Sequence, residues 1–263
     1  MKRYLAWLLI AFLGYGCATV PITGRKQLSL ISNAEIIPLS FDSYKQVLAE
    51  SKLSDNQEWL SMVRDVGERI QGGVEQYMED NGLSNQLEGF EWDFNLIEDD
   101  VVNAWAMPGG KVAFYTGIMP ICLDEKGVAV VMGHEVAHAI ANHGRERMST
   151  QLAAQLGLGT VSAAMGQNPT LTQQVFMQSI GMGTQLGMLK FSRTHESEAD
   201  EIGIIFMAMA GYDPHEAPKF WERMQSNSSG APAEWLSTHP SHERRISDLE
   251  ELIPNAMTYY KKQ

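Results

Sequence analysis

Two histidines four residues apart, in a stretch of chain too apolar to face water, constrain this fold more than any other feature. Residues 127–132 read Gly-Val-Ala-Val-Val-Met, and His134-Glu135-Val136-Ala137-His138 follows closely. The pattern predicts a helix from about Asp124 to His143. Positions four apart on a helix share a face, so both imidazoles project together. Burying Glu135 beside them with no partner is costly. A cation held by His134 and His138, with Glu135 alongside as general base rather than ligand, accounts for all three side chains. The same string can arise on an ordinary surface helix, but its apolar approach argues against that placement.

A metal site that does chemistry needs a third protein ligand and an open position. His195-Glu196-Ser197-Glu198-Ala199-Asp200 supplies the candidate. Glu196 and Asp200 share a helix face, while Glu198 points elsewhere. Glu196 would complete the metal set, and Asp200 would accept a hydrogen bond from a ligating histidine and fix its tautomer. The competing explanation is an acidic, solvated helix start favoured by the macrodipole. His143 lies five residues past His138, off the ligand face, and is expected at the surface. His195 stays unassigned, and His215 and His242 read as exposed helix ends. Cys122, in the apolar stretch 118–123, reads as a buried small hydrophobe.

The rest of the chain supplies a frame for these motifs. Asn33 opens a helix running to about Ala49. Leu60, Val63, Val66, Ile70 and Val74 recur at three- and four-residue spacing in a second helix over about 56–81. Residues 90–97 alternate as a strand, 101–106 suggest another, and Met107-Pro108-Gly109-Gly110 is a turn before a β-rich 111–116. A charged helical turn from Arg193 leads into a helix over 202–210, and further helices are predicted at 215–225 and 241–252, with a Ser/Gly/Pro-rich linker at 226–232. The fold class is α+β, mainly helical, with a small β-sheet beside the metal-bearing helix in one domain over 33–263. Residues 150–190 are rich in Gly, Ala, Met, Gln and Ser and almost uncharged. They suit a lid, a membrane-touching hairpin, a partner surface or two plain core helices, and neither apolar half has the length of a membrane span.

The beginning of the chain reads differently. Lys2 and Arg3 precede an apolar run from Tyr4 to Leu13, then small residues, which is the order of a secretory signal over residues 1–16. Cys17 at its end resembles the acylated cysteine of a bacterial lipoprotein, although Gly14 stands where such signals usually carry Leu. Plain cleavage or a retained anchor are the alternatives. Ala18 after the cysteine leans toward the outer membrane. Residues 17–32, with Pro21 and Gly24, read as an extended tether. Once Cys17 is acylated only Cys122 remains, so no intrachain disulfide is expected. The formal net charge of −12, with no basic stripe, argues against a nucleic-acid partner.

HEVAH followed by FSRTHESEAD resembles the gluzincin metallopeptidases, the family that includes the prenyl-protein endopeptidase, HtpX and BepA. The family pattern is HExxH with a downstream ExxxD. It falls on His134, Glu135 and His138, then on Glu196 as third zinc ligand and Asp200. Asn103-Ala104-Trp105-Ala106-Met107-Pro108-Gly109-Gly110 is similar to the family's NAxxxPGG segment, and Ser237-Thr238-His239-Pro240 to its late HP motif. The resemblance runs from residue 21 to about 250, nearest the single-domain, Oma-like and lipoprotein members. It implies a zincin-type domain, one Zn2+ per chain and metal-dependent hydrolysis of internal peptide bonds. It also implies an extended substrate paired to the main chain of the strand holding Val112, Ala113 and Phe114, with Asn103 nearby. His239 would steady the oxyanion, occupy the open metal position as a latch, or do neither. Substrates would be misfolded envelope proteins, in protein quality control at a lipid-anchored, periplasm-facing site. The rival is a non-catalytic chaperone or assembly factor with a closed structural metal, its clients bound by 150–190. A lipoprotein acting on a non-peptide substrate is more remote.

Overall fold

The computed structural model of the protein describes residues 17–156, 169–179, 191–227, 234–239 and 244–260. Where the sequence predicts an extended tether, β1 (Cys17–Thr19) and β2 (Lys26–Leu28) pair as an antiparallel hairpin. Pro21 and Gly24 belong to its turn, which Val20 closes through its N–H to the Arg25 carbonyl at 2.9 Å. The hairpin docks because Val20 is fully buried in the core. Two helices follow. In α1 (Asn33–Glu50) the Glu35 carboxylate reaches back to the Ser32 N–H at 2.8 Å. In α2 (Gln57–Asp80) Asn56 caps the first turn by accepting the Trp59 N–H, and Val63, Val66, Ile70 and Val74 form the buried stripe.

A three-stranded sheet lies against this pair. It is built from β3 (Asp93–Ile97), β4 (Ala104–Met107) and β5 (Lys111–Tyr115), in the spatial order β3-β5-β4. Alternate residues face opposite ways. Phe94, Leu96, Ala104, Ala106, Val112 and Phe114 join the main core, while Ile97, Trp105, Met107 and Ala113 join a second cluster with Ile36 and Tyr44 of α1. Gly109 and Gly110 both sit at φ +86° in the turn between β4 and β5, a region that favours glycine.

The strand order corrects one expectation. Val112, Ala113 and Phe114 lie in the central strand, parallel to β3 on one side and antiparallel to β4 on the other. Both of its main-chain edges are paired and all three side chains are fully buried. An incoming peptide therefore has no free backbone there to pair with. Among the described strands, the outer edge on the β4 side carries no paired strand.

The remaining described elements are helical. A short α3 (Met119–Cys122) precedes α4 (Glu125–Ile140), whose cap Asp124 accepts the N–H groups of Lys126 and Gly127. Every residue of α4 from Gly127 onward is buried. The helix predicted to reach His143 stops at Ile140. Asn142 adopts φ 59°, and α5 (His143–Leu156) sets off anew. Then come α6 (Pro169–Ser179), α7 (Arg193–Met209), α8 (Glu216–Asn227), α9 (Glu234–Thr238) and α10 (Arg245–Ala256). α7 crosses α4 where two glycines meet. A Cβ on Gly133 would lie 2.7 Å from the Gly203 carbonyl oxygen. Leu152 of α5 and Val175 and Phe176 of α6 are buried, as core helices would be, while 157–168 and 180–190 lie outside the described residues. No described helix is long and apolar enough to cross a membrane.

Candidate metal centre

The α4–α7 crossing brings the two sequence motifs together. His134 and His138 project from α4 with their Nε2 atoms 3.1 Å apart. Glu196, in the first turn of α7, places Oε2 3.5 Å from His134 Nε2 and Oε1 3.5 Å from His138 Nε2. Ser192 caps that turn by accepting the His195 N–H at 3.1 Å. His239, just past α9, adds Nδ1 at 3.1 Å from Glu196 Oε1 and 3.3 Å from His134 Nε2. All four side chains are buried, and one donor atom from each lies within 4.8 Å of the others.

These spacings test whether a metal fits. Four donors at about 2.0–2.1 Å from a tetrahedral ion stand about 3.3 Å from one another. With Glu196 offering either oxygen, five of the six donor pairs lie 3.1 to 3.5 Å apart and bracket that edge, and the sixth, His138 with His239, lies within 4.8 Å. Burial pushes the Glu196 carboxyl up, but the imidazoles of His239, His134 and His138 outweigh it and hold the acid well below its usual range. For His138, burial dominates and holds the imidazole well below its usual value, so it is neutral and free to ligate. For His134, burial pushes down, yet hydrogen bonds to Asp200 and Glu196 raise it to about 9. The donor set can hold one metal ion.

Around the donors, each predicted group has a place. Asp200 Oδ1 lies 2.9 Å from His134 Nδ1, as the helix-face argument predicts. Glu135 is buried next to the donor set without joining it, and its Oε1 accepts the Trp235 indole N–H at 2.7 Å. Asn103 is buried at the start of β4, where its Oδ1 accepts the Ala104 N–H at 2.9 Å and its carbonyl the Tyr115 N–H at 3.1 Å. Cys17 is exposed, at the first position of β1. Cys122 is fully buried and its thiol is pushed up by desolvation, as a core residue should be.

Sequence reasoning missed two residues. Arg245 is fully buried, donates to Glu196 Oε2 at 2.9 Å and Asp200 Oδ1 at 2.7 Å, and lies 3.5 Å above the Trp221 ring. It neutralises two carboxylates that would otherwise sit in the core with too little positive charge. His143, expected at the surface, is also fully buried, with Nδ1 2.8 Å from His138 Nδ1. His195 pairs with Glu146 at 3.0 Å, and His215 is exposed as predicted, beside Asp213.

The α9 segment covers the centre. Its Trp235 N–H donates to the Val102 carbonyl at 3.1 Å, just ahead of β4, and the Phe191 N–H donates to the Thr238 carbonyl at 3.0 Å. The Trp235 ring stacks on Trp221 with centroids 5.0 Å apart. One short helix thus caps Glu135, presents His239 to the donors and bonds to the chain just ahead of β4.

With this geometry in view, a model described as "Peptidase family M48" matches residues 66–253. The chain belongs to peptidase family M48. The match spans all of the donor and base residues named above and leaves out the β1–β2 hairpin and Cys17. Relatives in the family include the mitochondrial metalloendopeptidase OMA1 of Schizosaccharomyces pombe, 31% identical over 90% of this chain. The human mitochondrial metalloendopeptidase OMA1 is 30% identical over 90% of the chain, and the beta-barrel assembly-enhancing protease of Escherichia coli is 35% identical over 59%. The chain spans 66% of the length of the fission-yeast protein, 46% of the human one and 33% of the bacterial one. As an M48 domain it is a metallopeptidase domain, α+β and mainly helical, with the small sheet beside the helix that carries His134 and His138.

Proposed function

We propose that this protein is a zinc-dependent metalloendopeptidase acting on envelope proteins and held in a resting state by α9. The observation that carries the reading is a buried carboxylate, Glu135, set beside four clustered donors without being one of them. A structural metal needs no such base. His134, His138 and Glu196 would hold the ion, with Asp200 and Arg245 orienting the first and third. Zinc bound there would acidify water and polarise a scissile carbonyl. Glu135 would take a proton from that water and pass it to the leaving amine. The free edge of β4, whose start Asn103 holds, would pair with an extended substrate once α9 has moved aside. His239 would serve as the latch rather than the oxyanion donor, since its Nδ1 stands among the donor atoms.

The test is cleavage of casein or an unfolded client, with and without chelator, by the wild type and Glu135→Gln. The variant keeps the oxygen that Trp235 donates to, so it should fold and bind zinc while cleaving about 10²- to 10⁴-fold more slowly. Equal cleavage by both forms would overturn the mechanism. The closed four-donor arrangement also favours a second reading, a structural zinc in a chaperone or assembly factor. That reading expects no chelator-sensitive cleavage from any form.

The substrates we infer are misfolded or stalled envelope proteins, met at the periplasmic face of the outer membrane. The name of the Escherichia coli relative, the signal-like order of residues 1–16 and the exposed Cys17 support this. Acylated, Cys17 would carry the lipid at the first residue of the docked hairpin and hold the domain at the membrane. Mass spectrometry of the purified protein should find an acylated cysteine at the mature N-terminus; an unmodified one excludes the anchor.

A further inference from the structure

We propose that His143 and Glu198 form a relay that holds the ligand His138 in its metal-binding orientation, and that Thr23 and Arg25 of the β1–β2 hairpin anchor its outer end. The inference rests on the zinc reading above and adds residues that the HExxH and ExxxD patterns do not contain. His138 Nε2 is the atom that faces His134 and Glu196, so Nε2 is left bare for the ion and Nδ1 carries the proton. That N–H needs an acceptor. It has one in His143 Nδ1 at 2.8 Å. His143 then carries its own proton on Nε2, which donates to Glu198 Oε2 at 2.9 Å. One tautomer assignment satisfies every member of the chain.

The outer end of the relay belongs to the hairpin. Glu198 Oε1 accepts from the Thr23 hydroxyl, and Oε2 also accepts from Arg25 Nε at 2.7 Å. Arg25 grips Glu146 with its other two nitrogens, at 3.0 and 2.7 Å. Glu146 in turn holds His195, whose ring stacks on His143 with centroids 4.5 Å apart. Arg25 therefore fixes two carboxylates, and each of them fixes one of the stacked imidazoles. His134 has the plain arrangement, a carboxylate directly on its Nδ1. His138 reaches its carboxylate through a second imidazole, and that carboxylate is clamped by a segment more than a hundred residues away in sequence. His143 and Glu198 are positioning residues in this account, not catalytic ones.

The experiment measures zinc affinity by competition with a chromophoric chelator, the absorption spectrum of the cobalt-substituted protein, and the fold of the metal-free protein by circular dichroism. His143→Leu should bind zinc about 10- to 100-fold more weakly and shift the cobalt bands. His143→Gln, whose amide can both accept and donate, should recover part of that loss. Arg25→Gln should release zinc faster than the wild type by a smaller factor. A folded His143→Leu with wild-type zinc affinity and cobalt spectrum overturns the relay. If His143→Leu does not fold, Arg25→Gln decides: unchanged zinc release with unchanged cobalt bands overturns the proposal, and faster release with shifted bands supports it. Failure of the wild type to bind zinc would remove the metal reading itself, not the relay alone.

Discussion

At the scale of single residues, the metal-free centre is a competition between a proton and a cation. His134 is raised to about 9, where burial works against the proton but hydrogen bonds to Asp200 and Glu196 hold it. A metal must displace that proton to reach Nε2, so binding releases it. Apparent zinc affinity should therefore rise with pH by about tenfold per unit between about pH 6 and 8, and level off near 9. Chelator competition at several pH values checks this, and a flat profile would show that His134 is already neutral in the metal-free protein. Residue chemistry is also where the sequence was most legible. HEVAH in an apolar helix and the four-residue spacing of Glu196 and Asp200 picked out three of the four clustered donors, the buried carboxylate beside them and the carboxylate on His134. His143 was hidden for a local reason. On a continuous helix it points away from the ligands, but Asn142 at φ 59° ends α4 and turns the chain, so His143 opens α5 with its ring directed back at His138. Arg245 was hidden because its anions lie on α7, and no local pattern pairs them.

At the scale of elements, the centre depends on two helices that touch backbone to backbone and a third that closes over them. The Gly133–Gly203 contact lets α4 and α7 come close enough for His134 and Glu196 to share an ion. Periodicity predicts each helix, yet it cannot predict a crossing, which is a property of the pair. The sheet shows the same limit. Its three strands were readable from alternation and turn residues, but their order, β3-β5-β4, is set by long-range pairing, and that order moves the free edge from Val112–Phe114 to the neighbouring β4. α9 is the element with the most consequence for activity. It is only five residues long, so its hold on the centre lies in a few named contacts: Trp235 to Glu135 and to Val102, Thr238 to Phe191, and His239 among the donors. His239→Ala removes one of four donors and leaves His134, His138 and Glu196. If α9 is a latch, the variant should keep zinc and cleave casein several-fold faster than the wild type. Slower cleavage with zinc retained would instead give His239 the oxyanion role.

At the scale of the whole molecule, the docked hairpin ties the start of the described chain to α5 and α7 through a compact charge network. Burial pushes the Glu146 carboxyl up, but hydrogen bonds from His195 and Arg25 outweigh it and hold it at about 2, against an ordinary 4.5. Glu198 behaves alike: burial raises it, while His143, Thr23 and Arg25 bring it to about 2. Both folded-state values are depressed, so the stability they contribute is fully present above about 4.5 and is lost as pH falls through about 2. The sequence could not show this, because Pro21 and Gly24 look the same in a tether and in a hairpin turn, and Arg25 finds its partners at positions 146 and 198. Without metal, the protein is free of competition between protons and a cation at the clustered donors. Its thermal midpoint should fall steeply between about pH 4.5 and 2. Arg25→Gln should lower the midpoint at neutral pH and flatten that fall, since Glu146 then titrates closer to its ordinary value in the folded state. Superimposable pH–stability curves for the two proteins would mean that the hairpin rests on Val20 and its apolar contacts alone, and that Arg25 carries no share of the docking.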